Sequence, residues 1–374
     1  MRILSLIKKE MLHLIRDKAL VFILFWAFTG AVYTSGSGFT MEVKNFPTII
    51  FDMSKSKESR ELISRFQKPY FKIISFVEND RELIEWLDSG KASMAIVIPP
   101  DFVRKIDKME GKIQIIIDGT MSLSATVAVA YVTEIIYDYG LEILERKMGV
   151  TGKFLENLPI IEQKTRIEFN PNVLSSWFMS MLEYFNMITM VSLLVTAAQM
   201  VREKEYGTIE QLLVTPVRNW EIFISKIIPT LVAIAIFSPI TLFGIIKGIF
   251  GVPLRGNIFF FYAVMLFYAF TISSLGLAIS TVAKNLAQAM MLMLVILIPM
   301  LFLSGAWTPP ESMHPLMQYL SLISPMRYFI DFGYSVLFKG NGITYVWHDI
   351  LGIILIGLVL FAFSSYQFKR SFSK

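Results

Sequence analysis

Six long apolar runs, spaced along 374 residues, constrain this chain more than any single motif does. A helix needs roughly 20 mostly apolar residues to cross the hydrocarbon core of a bilayer, which is about 30 Å thick. Runs at about 19–35, 173–200, 220–246, 258–282, 286–303 and 346–366 meet that requirement. The first begins ALVFILFWAFTG and lacks a small-residue cleavage site after it, so it is read as a retained anchor rather than a signal peptide. Composition agrees: 54% of residues are hydrophobic and 17% are charged, against about 25% charged in ordinary soluble domains. The net charge of +5 is spread along the chain instead of forming one patch, which argues against nucleic acid as a partner. Cysteine is absent, which removes disulfides and thiolate metal sites.

Basic residues flanking the runs predict orientation, since they accumulate on the cytoplasmic side. Arg2, Lys8, Lys9, Arg16, Lys18, Arg202, Lys204, Arg218, Lys284, Lys369, Arg370 and Lys374 fall on the side of the N-terminus; Lys247, Arg255, Arg327 and Lys339 fall on the other. Both termini are therefore expected in the cytoplasm of a multi-pass protein of the bacterial inner (plasma) membrane. The long insert at 36–172 is then extracytoplasmic. It alternates predicted strands at 48–53, 71–77, 93–98 and 112–118 with predicted helices at 57–67, 80–88 and 102–109, followed by a long helix at 123–147. Such alternation implies a small, mostly parallel α/β sheet. The fold class expected is an α-helical membrane protein with six transmembrane helices, an N-terminal interfacial elbow helix over 1–18, a re-entrant helical hairpin at about 305–342, the inserted α/β domain with its stalk helix, and a cytoplasmic tail at 367–374.

The stretch Arg202–Pro216 is the most informative. Gly207 permits a sharp exit from the second run, Thr208 and Gln211 have capping-box spacing, and Ile209, Leu212 and Leu213 form an apolar stripe that Pro216 ends. A short amphipathic helix of this kind either docks into a groove on a partner or lies on lipid. The elbow places Ile3, Leu6, Ile7, Met11, Leu14 and Ile15 at helical spacing, with Arg2, Lys8, Lys9, Glu10 and Arg16 mostly on the other side, as an interfacial helix would. The apolar but proline-divided segment after 305 contains Trp307, Pro309, Pro310, Met313, Pro315 and Pro325. Two short helices could roof a path from outside or rest on the outer leaflet. Glu183, about two turns into the second run, is either functional or snorkels to outer headgroups. Asp331 and Arg327, four apart, could pair on one helix face. Pro229, Pro239 and Pro299 would kink their runs.

These segments together resemble the permeases of ABC-2-type (type V) ABC exporters, in the bacterial multidrug-efflux-like subgroup with a large extracytoplasmic domain. E-Y-G-T-I-E-Q-L-L-V-T-P looks like that family's coupling-helix signature, Lys9-Glu10 with His13 and Arg16-Asp17 like its elbow, and F-N-P-N-V-L-S-S-W-F at 169–178 like its entry into the second span. Leu303-Ser-Gly, Pro309-Pro-Glu-Ser-Met313, Ser324-Pro325 and Tyr328 are similar to its late hairpin. The pieces V-I-P-P-D-F and I-D-G-T match members with an outer domain. The resemblance implies coupling to a separate ATPase, present in two copies, through Glu203, Glu205, Gly207, Thr208, Glu210, Leu212, Leu213, Thr215 and Pro216. It implies elbow roles for Lys9, Glu10, Arg16 and Asp17, and an outer gate or path involving Glu183, Trp307, Pro309, Pro310 and Met313. A second permease copy or a related permease, and membrane lipid, are the further partners implied, with a periplasmic adaptor as an additional option.

No phosphate-binding G-x-x-x-x-G-K-[ST] occurs, so ATP and Mg are expected in the partner and no cofactor in this chain. No histidine spacing suits a metal and no credible acid pair lies in a span, so the chain is not expected to be an enzyme. Two other classes stay open: an ion-coupled secondary transporter, disfavoured by the few charges in the spans and the lack of inverted broken helices, and a membrane-anchored sensor that binds a ligand through the insert.

Overall fold

The computed structural model describes residues 2–38, 44–108, 110–118, 122–148, 169–170, 174–208 and 218–372. The chain divides into two compact units, one of residues 1–39 with 167–374 and one of residues 40–166. Chain order opens with helix α1 (Arg2–Arg16) and the apolar helix α2 (Lys18–Gly38). The break between them is set by Asp17, whose Oδ1 accepts the backbone N–H of Leu20 at 3.1 Å and so caps α2. A π-helical turn, Ala27–Ala31, interrupts α2.

The inserted unit runs β1 (Phe46–Asp52), α3 (Lys57–Ile63), β2 (Phe71–Phe76), α4 (Asp80–Asp88), β3 (Met94–Ile98), α5 (Phe102–Asp107), β4 (Gln114–Ile117) and α6 (Ser122–Met148). Strand order is β2-β1-β3-β4, with β1 parallel to both neighbours and β4 antiparallel to β3. The central strands are apolar throughout, as strands covered on both faces must be: every residue of β3 is buried. One face packs Ile50, Phe71, Ile96 and Phe102 with Val132 and Tyr139 of α6. The other packs Ile49, Val77, Leu83 and Ala95. Ser56 and Asn79 cap α3 and α4. Predicted strand and helix positions agree with this closely; the helix predicted over 57–67 is shorter, because turns take over after Ile63.

The other unit continues with α7 (Ser175–Glu205), α8 (Asn219–Ile249), α9 (Ile258–Val282), α10 (Leu286–Phe302), α11 (Pro315–Ser321), α12 (Pro325–Leu337) and α13 (Ile343–Phe372). Among the described residues five helices are long and apolar enough to cross a membrane: α2, α7, α8, α9 and the Ile343–Arg370 part of α13. The sequence suggested six. The run expected at 286–303 forms α10, only 17 residues long, or about 25 Å at 1.5 Å per residue. Its C-cap is Leu303, four residues after the internal Pro299, and Gly305 follows with a φ of +84°.

Helix α7 is the hub of this unit. Tyr184 hydrogen-bonds Ser238 of α8, Thr189 meets Tyr268 of α9 at 2.6 Å, and Thr196 meets Thr230 of α8 at 3.1 Å. Buried hydroxyls bonded between helices satisfy one another where water is scarce. At Gly276 of α9 an added Cβ would lie 2.7 Å from the Leu193 carbonyl oxygen, so this helix crossing requires glycine. Pro229 sits within α8, and beyond Pro239 the same helix continues as the π-helical stretch Ile240–Ile249.

The segment after 305 contains two short helices, α11 and α12, as the prolines suggested. Helix α12 buries Phe329, Phe332, Val336 and Leu337, with Phe329 stacked 3.9 Å from the Tyr268 ring. The pairing expected between Arg327 and Asp331 is corrected. Arg327 instead donates to Ser321 Oγ and reaches the Gln318 carbonyl (3.5 Å), drawn to the C-terminal end of α11, and Asp331 makes no ion pair among the described residues.

Candidate functional site

The ionisable side chains that cluster most closely in the spanning unit gather where α1, the end of α7 and the start of α8 meet. Helix α7 leaves its apolar stretch as Met200-Val-Arg-Glu-Lys-Glu and stops at Gly207, which holds a φ of +68°. That left-handed conformation favours glycine at a helix C-terminus. The chain is next described from Arg218, whose backbone N–H donates to Glu221 Oε2 at 2.7 Å and starts α8. Eight residues further, Lys226 enters the interior with 1% of its side chain exposed.

Lys226 Nζ lies 2.7 Å from Glu10 Oε1 and 2.7 Å from Glu203 Oε1. Lys9 Nζ donates to Glu203 Oε1 at 2.8 Å and lies 3.5 Å from Glu10 Oε1. Two ammonium groups and two carboxylates thus balance within one buried knot that ties three helices together. Buried charges are tolerated when they are paired in this way. Beside it Arg202 Nη1 contacts Asp17 Oδ2 at 2.5 Å. One carboxylate of Asp17 therefore both caps α2 and holds the end of α7.

The remaining charges at the end of α7 reach the helices on its other side. Lys204 Nζ donates to the carbonyls of Ser280 (2.5 Å) and Thr281 (2.9 Å), at the C-terminus of α9, where a cation complements the helix dipole. Glu205 Oε1 accepts the Leu286 N–H at 2.8 Å, the first residue of α10. Four consecutive side chains, Arg202 to Glu205, thus attach the end of α7 to the junction of α1 and α2, to α8, to α9 and to α10. Outside the spans, the partners fix protonation. Burial works against the charge on Lys9, but Glu203 and Glu10 overcome it and hold the ammonium above its usual 10.5. The hydrogen bonds from Arg202 and from the Leu20 N–H hold Asp17 below its usual 3.8.

A cavity of about 490 Å³ opens between α1 and the end of α7, with His13, Gln199, Arg202, Tyr206 and Thr208 in its wall. The side-chain amide of Gln199 is buried there with no partner among the described residues. Thr208 donates to the Glu203 carbonyl at 3.3 Å, so its hydroxyl serves the end of α7; Gln211, its expected capping-box partner, lies outside the described residues.

Of the residues singled out in the sequence, Lys9, Glu10, Asp17, Glu203 and Glu205 come together here, with Gly207 and Thr208 at the edge. Arg16 is exposed on α1. Glu210, Leu212, Leu213, Thr215 and Pro216, and with them the helix expected over 207–216, lie outside the described residues. The elbow differs from expectation in one respect. Glu10 was placed with the polar side, yet it is buried at 5% exposure, while Leu4, Leu12 and Ile15 are exposed. A carboxylate at position 10 shares the inward stripe of Ile7 and Leu14 because Lys226 waits opposite it. Lys226 itself was missed. A lone lysine within the apolar run I-F-I-S-K-I-I-P was the signal, since ionisable residues in spans are rarely without a role.

The outer candidates do not join this cluster. Glu183 is half-buried on α7 and accepts from Asn186 Nδ2 at 3.1 Å. Trp307 is 50% exposed, Pro309 is exposed, and Pro310 and Met313 are half-buried.

A bundle of long apolar helices tied at one end by a balanced charge knot, with an α/β unit inserted after the first of them, is the architecture of a multi-pass membrane protein. A family model described as ABC-2 family transporter protein matches residues 19–366, and the chain belongs to that family. Escherichia coli (strain K12) has similar proteins. The inner membrane transport permease YhhJ is 31% identical over 367 residues, covering 97% of this chain and 96% of YhhJ. The probable multidrug ABC transporter permease YbhR is 30% identical over 372 residues, covering 99% and 98%. YbhS, which carries the same description as YbhR, is 28% identical over 295 residues, covering 77% and 73%. ABC-2 permeases work with an ABC ATPase partner.

Proposed function

We propose that this chain is the transmembrane subunit of an ATP-driven exporter that moves hydrophobic or amphipathic molecules out of the cytoplasm or the inner leaflet. The descriptions of YbhR and YbhS as probable multidrug permeases support efflux. Both termini face the cytoplasm, α10 is a shortened sixth crossing, and the inserted unit lies outside. Two ATPase copies, which supply ATP and Mg, sit beneath a pair of permeases, a second copy of this chain or a related one. The exposed apolar faces of α10 (Met291, Leu294, Val295, Ile298) and α13 (Leu355, Leu358, Val359) suit lipid or that second permease.

The observation that carries the proposal is the position of the charge knot. Glu203 and Lys226 stand on either side of the segment 207–216, one in the helix before it and one in the helix after it, and they share Glu10 and Lys9 of the elbow. A push on that segment by the ATPase is transmitted to α1, α7 and α8 at once. Leu212, Leu213, Thr215, Pro216 and Glu210 form the docking surface, and Glu203, Glu205, Gly207 and Thr208 join it to the bundle. The outer residues Glu183, Trp307, Pro309, Pro310 and Met313 line or cover the exit.

Replacing Leu212 and Leu213 together by Asp tests the docking surface. The double variant is expected to insert in the membrane in normal amount but to lose co-purification with the ATPase. Undiminished co-purification would remove the segment from the coupling role.

A further inference from the structure

We propose that the cavity between α1 and the end of α7 holds the head of a phospholipid that bears a primary ammonium, phosphatidylethanolamine. Two helix stripes make its walls. Lys9, His13 and Arg16 follow one another on α1, and Gln199, Arg202, Glu203 and Tyr206 on α7, each at the three- and four-residue spacing that puts side chains on one face. The site lies where the apolar stretch of α7 gives way to charge. Tyr206, 77% exposed, stands in its wall, and tyrosine collects at headgroup depth.

The interior of the cavity calls for both donors and acceptors. Glu203 is only 8% exposed, and both lysines of the knot meet its Oε1. Its Oε2 is buried with no hydrogen-bond partner among the described residues, as are both polar atoms of Gln199 one helical turn earlier. Unpaired buried polar atoms cost free energy, most of all on a charged group. Water alone suits the space poorly. The volume of about 490 Å³ compares with ~30 Å³ per water molecule, and Leu12, Leu14 and Leu20 also line it.

The charges of the wall balance: Lys9, Arg16 and Arg202 stand against Glu10, Asp17 and Glu203. Lys9 and Glu10 are engaged in the knot, and Asp17 with Arg202. What is left has both signs. Inside is the Glu203 Oε2; on α1 are Arg16 and His13, exposed, whose side chains make no ion pair or hydrogen bond among the described residues. Of the neighbouring charges, Lys226 belongs to the knot, Lys204 to the carbonyls at the end of α9 and Glu205 to the Leu286 N–H. Lys8 and Lys18 are exposed outside the wall. A head with one cation and one anion matches this arrangement, whereas a purely anionic head leaves the Glu203 oxygen unpaired. The ammonium, with three N–H donors, would donate to Glu203 Oε2 and Gln199 Oε1. The phosphate would accept from Arg16, His13 and the Gln199 amide. Along α2, Leu20 is followed by Phe22, Ile23 and Trp26, all exposed, an apolar track for an acyl chain.

Native mass spectrometry of the full chain, released from detergent micelles doped with equal amounts of dioleoyl lipids, counts the heads it retains. Phosphatidylethanolamine should be retained about tenfold more than phosphatidylcholine, the equivalent of one charged hydrogen bond, because choline has the same charges and no N–H. Phosphatidylglycerol, which lacks the cation, should also fall below it. Gln199→Leu should bring the ethanolamine-to-choline ratio close to one. Arg16→Ala, at an exposed position, should weaken both by a common factor, since both carry the phosphate. Equal retention of the two heads by the parent, or phosphatidylglycerol above phosphatidylethanolamine, would overturn the proposed head. A preference that survives Gln199→Leu would overturn its placement in this cavity. Soluble glycerophosphoethanolamine should displace the lipid far less than free lipid does; equal displacement would overturn the membrane as its source. Neither ATP nor transport enters the measurement, so its failure leaves the export proposal standing.

Discussion

Lys226 carries the largest single demand in the molecule, an ammonium buried to 1% exposure between two carboxylates. Lys226→Met would leave Glu10 and Glu203 sharing only the half-buried Lys9, and removing one partner of a buried ion pair costs about 3–5 kcal/mol. Thermal unfolding in detergent should show this as a clear fall in midpoint, and a midpoint equal to the parent's would mean the knot bears no load. Asp17 gives a pH signature. Its folded-state pKa is depressed below 3.8, so its contribution is present above that value and is lost as pH falls through the folded-state pKa. Asp17→Asn keeps an acceptor for the Leu20 N–H but loses the charge facing Arg202. It should cost about 1 kcal/mol, the upper value for partly exposed pairs, at neutral pH, and the difference should shrink as pH falls toward the folded-state pKa. Lys9 behaves oppositely. Its raised pKa gives a contribution present below 10.5 and lost only as pH rises through the folded-state value, so pH 5–9 leaves the elbow attached. Melting curves of Asp17→Asn and the parent across pH 3–9 check the sign.

At the scale of elements, the hydroxyl pairs and the Gly276 crossing make α7 the fixed axis of the bundle. Gly276→Leu would force a branched side chain against the Leu193 carbonyl, where even a Cβ comes within 2.7 Å. Overpacking of this kind costs about 1–3 kcal/mol, and the yield of monodisperse protein should fall accordingly; an unchanged yield and melting profile would contradict the close crossing. These elements also show what a sequence can and cannot convey. The strands of the inserted unit were legible because runs such as S-M-A-I-V-I alternate with helices at regular spacing, and Gly207 was legible as a helix end. Whether the 17-residue α10 makes a full crossing was not, because apolar composition at 286–303 does not record how the helix sits in the bilayer. Nor was the inward face of the elbow, since a helical wheel assigns Glu10 to solvent unless the lysine opposite it, 216 positions away, is known. Arg202 and Lys204 are ordinary as single residues. They acquire meaning only through tertiary contacts.

For the whole molecule, the proposed function requires a cytoplasmic push to reach an outward exit through a bundle tied at one end. The knot of Lys9, Glu10, Glu203 and Lys226 is where force from the ATPase would divide among three helices. The direct measurement is ATP-driven export of a lipophilic dye from proteoliposomes that contain the assembled permease–ATPase complex, comparing the parent with Lys226→Met after both have been isolated as intact complexes. The account predicts that the variant still binds the ATPase and hydrolyses ATP while export falls at least about tenfold, the equivalent of roughly 1.4 kcal/mol of lost coupling. Export at the parent's rate, with ATP hydrolysis unchanged, would contradict it.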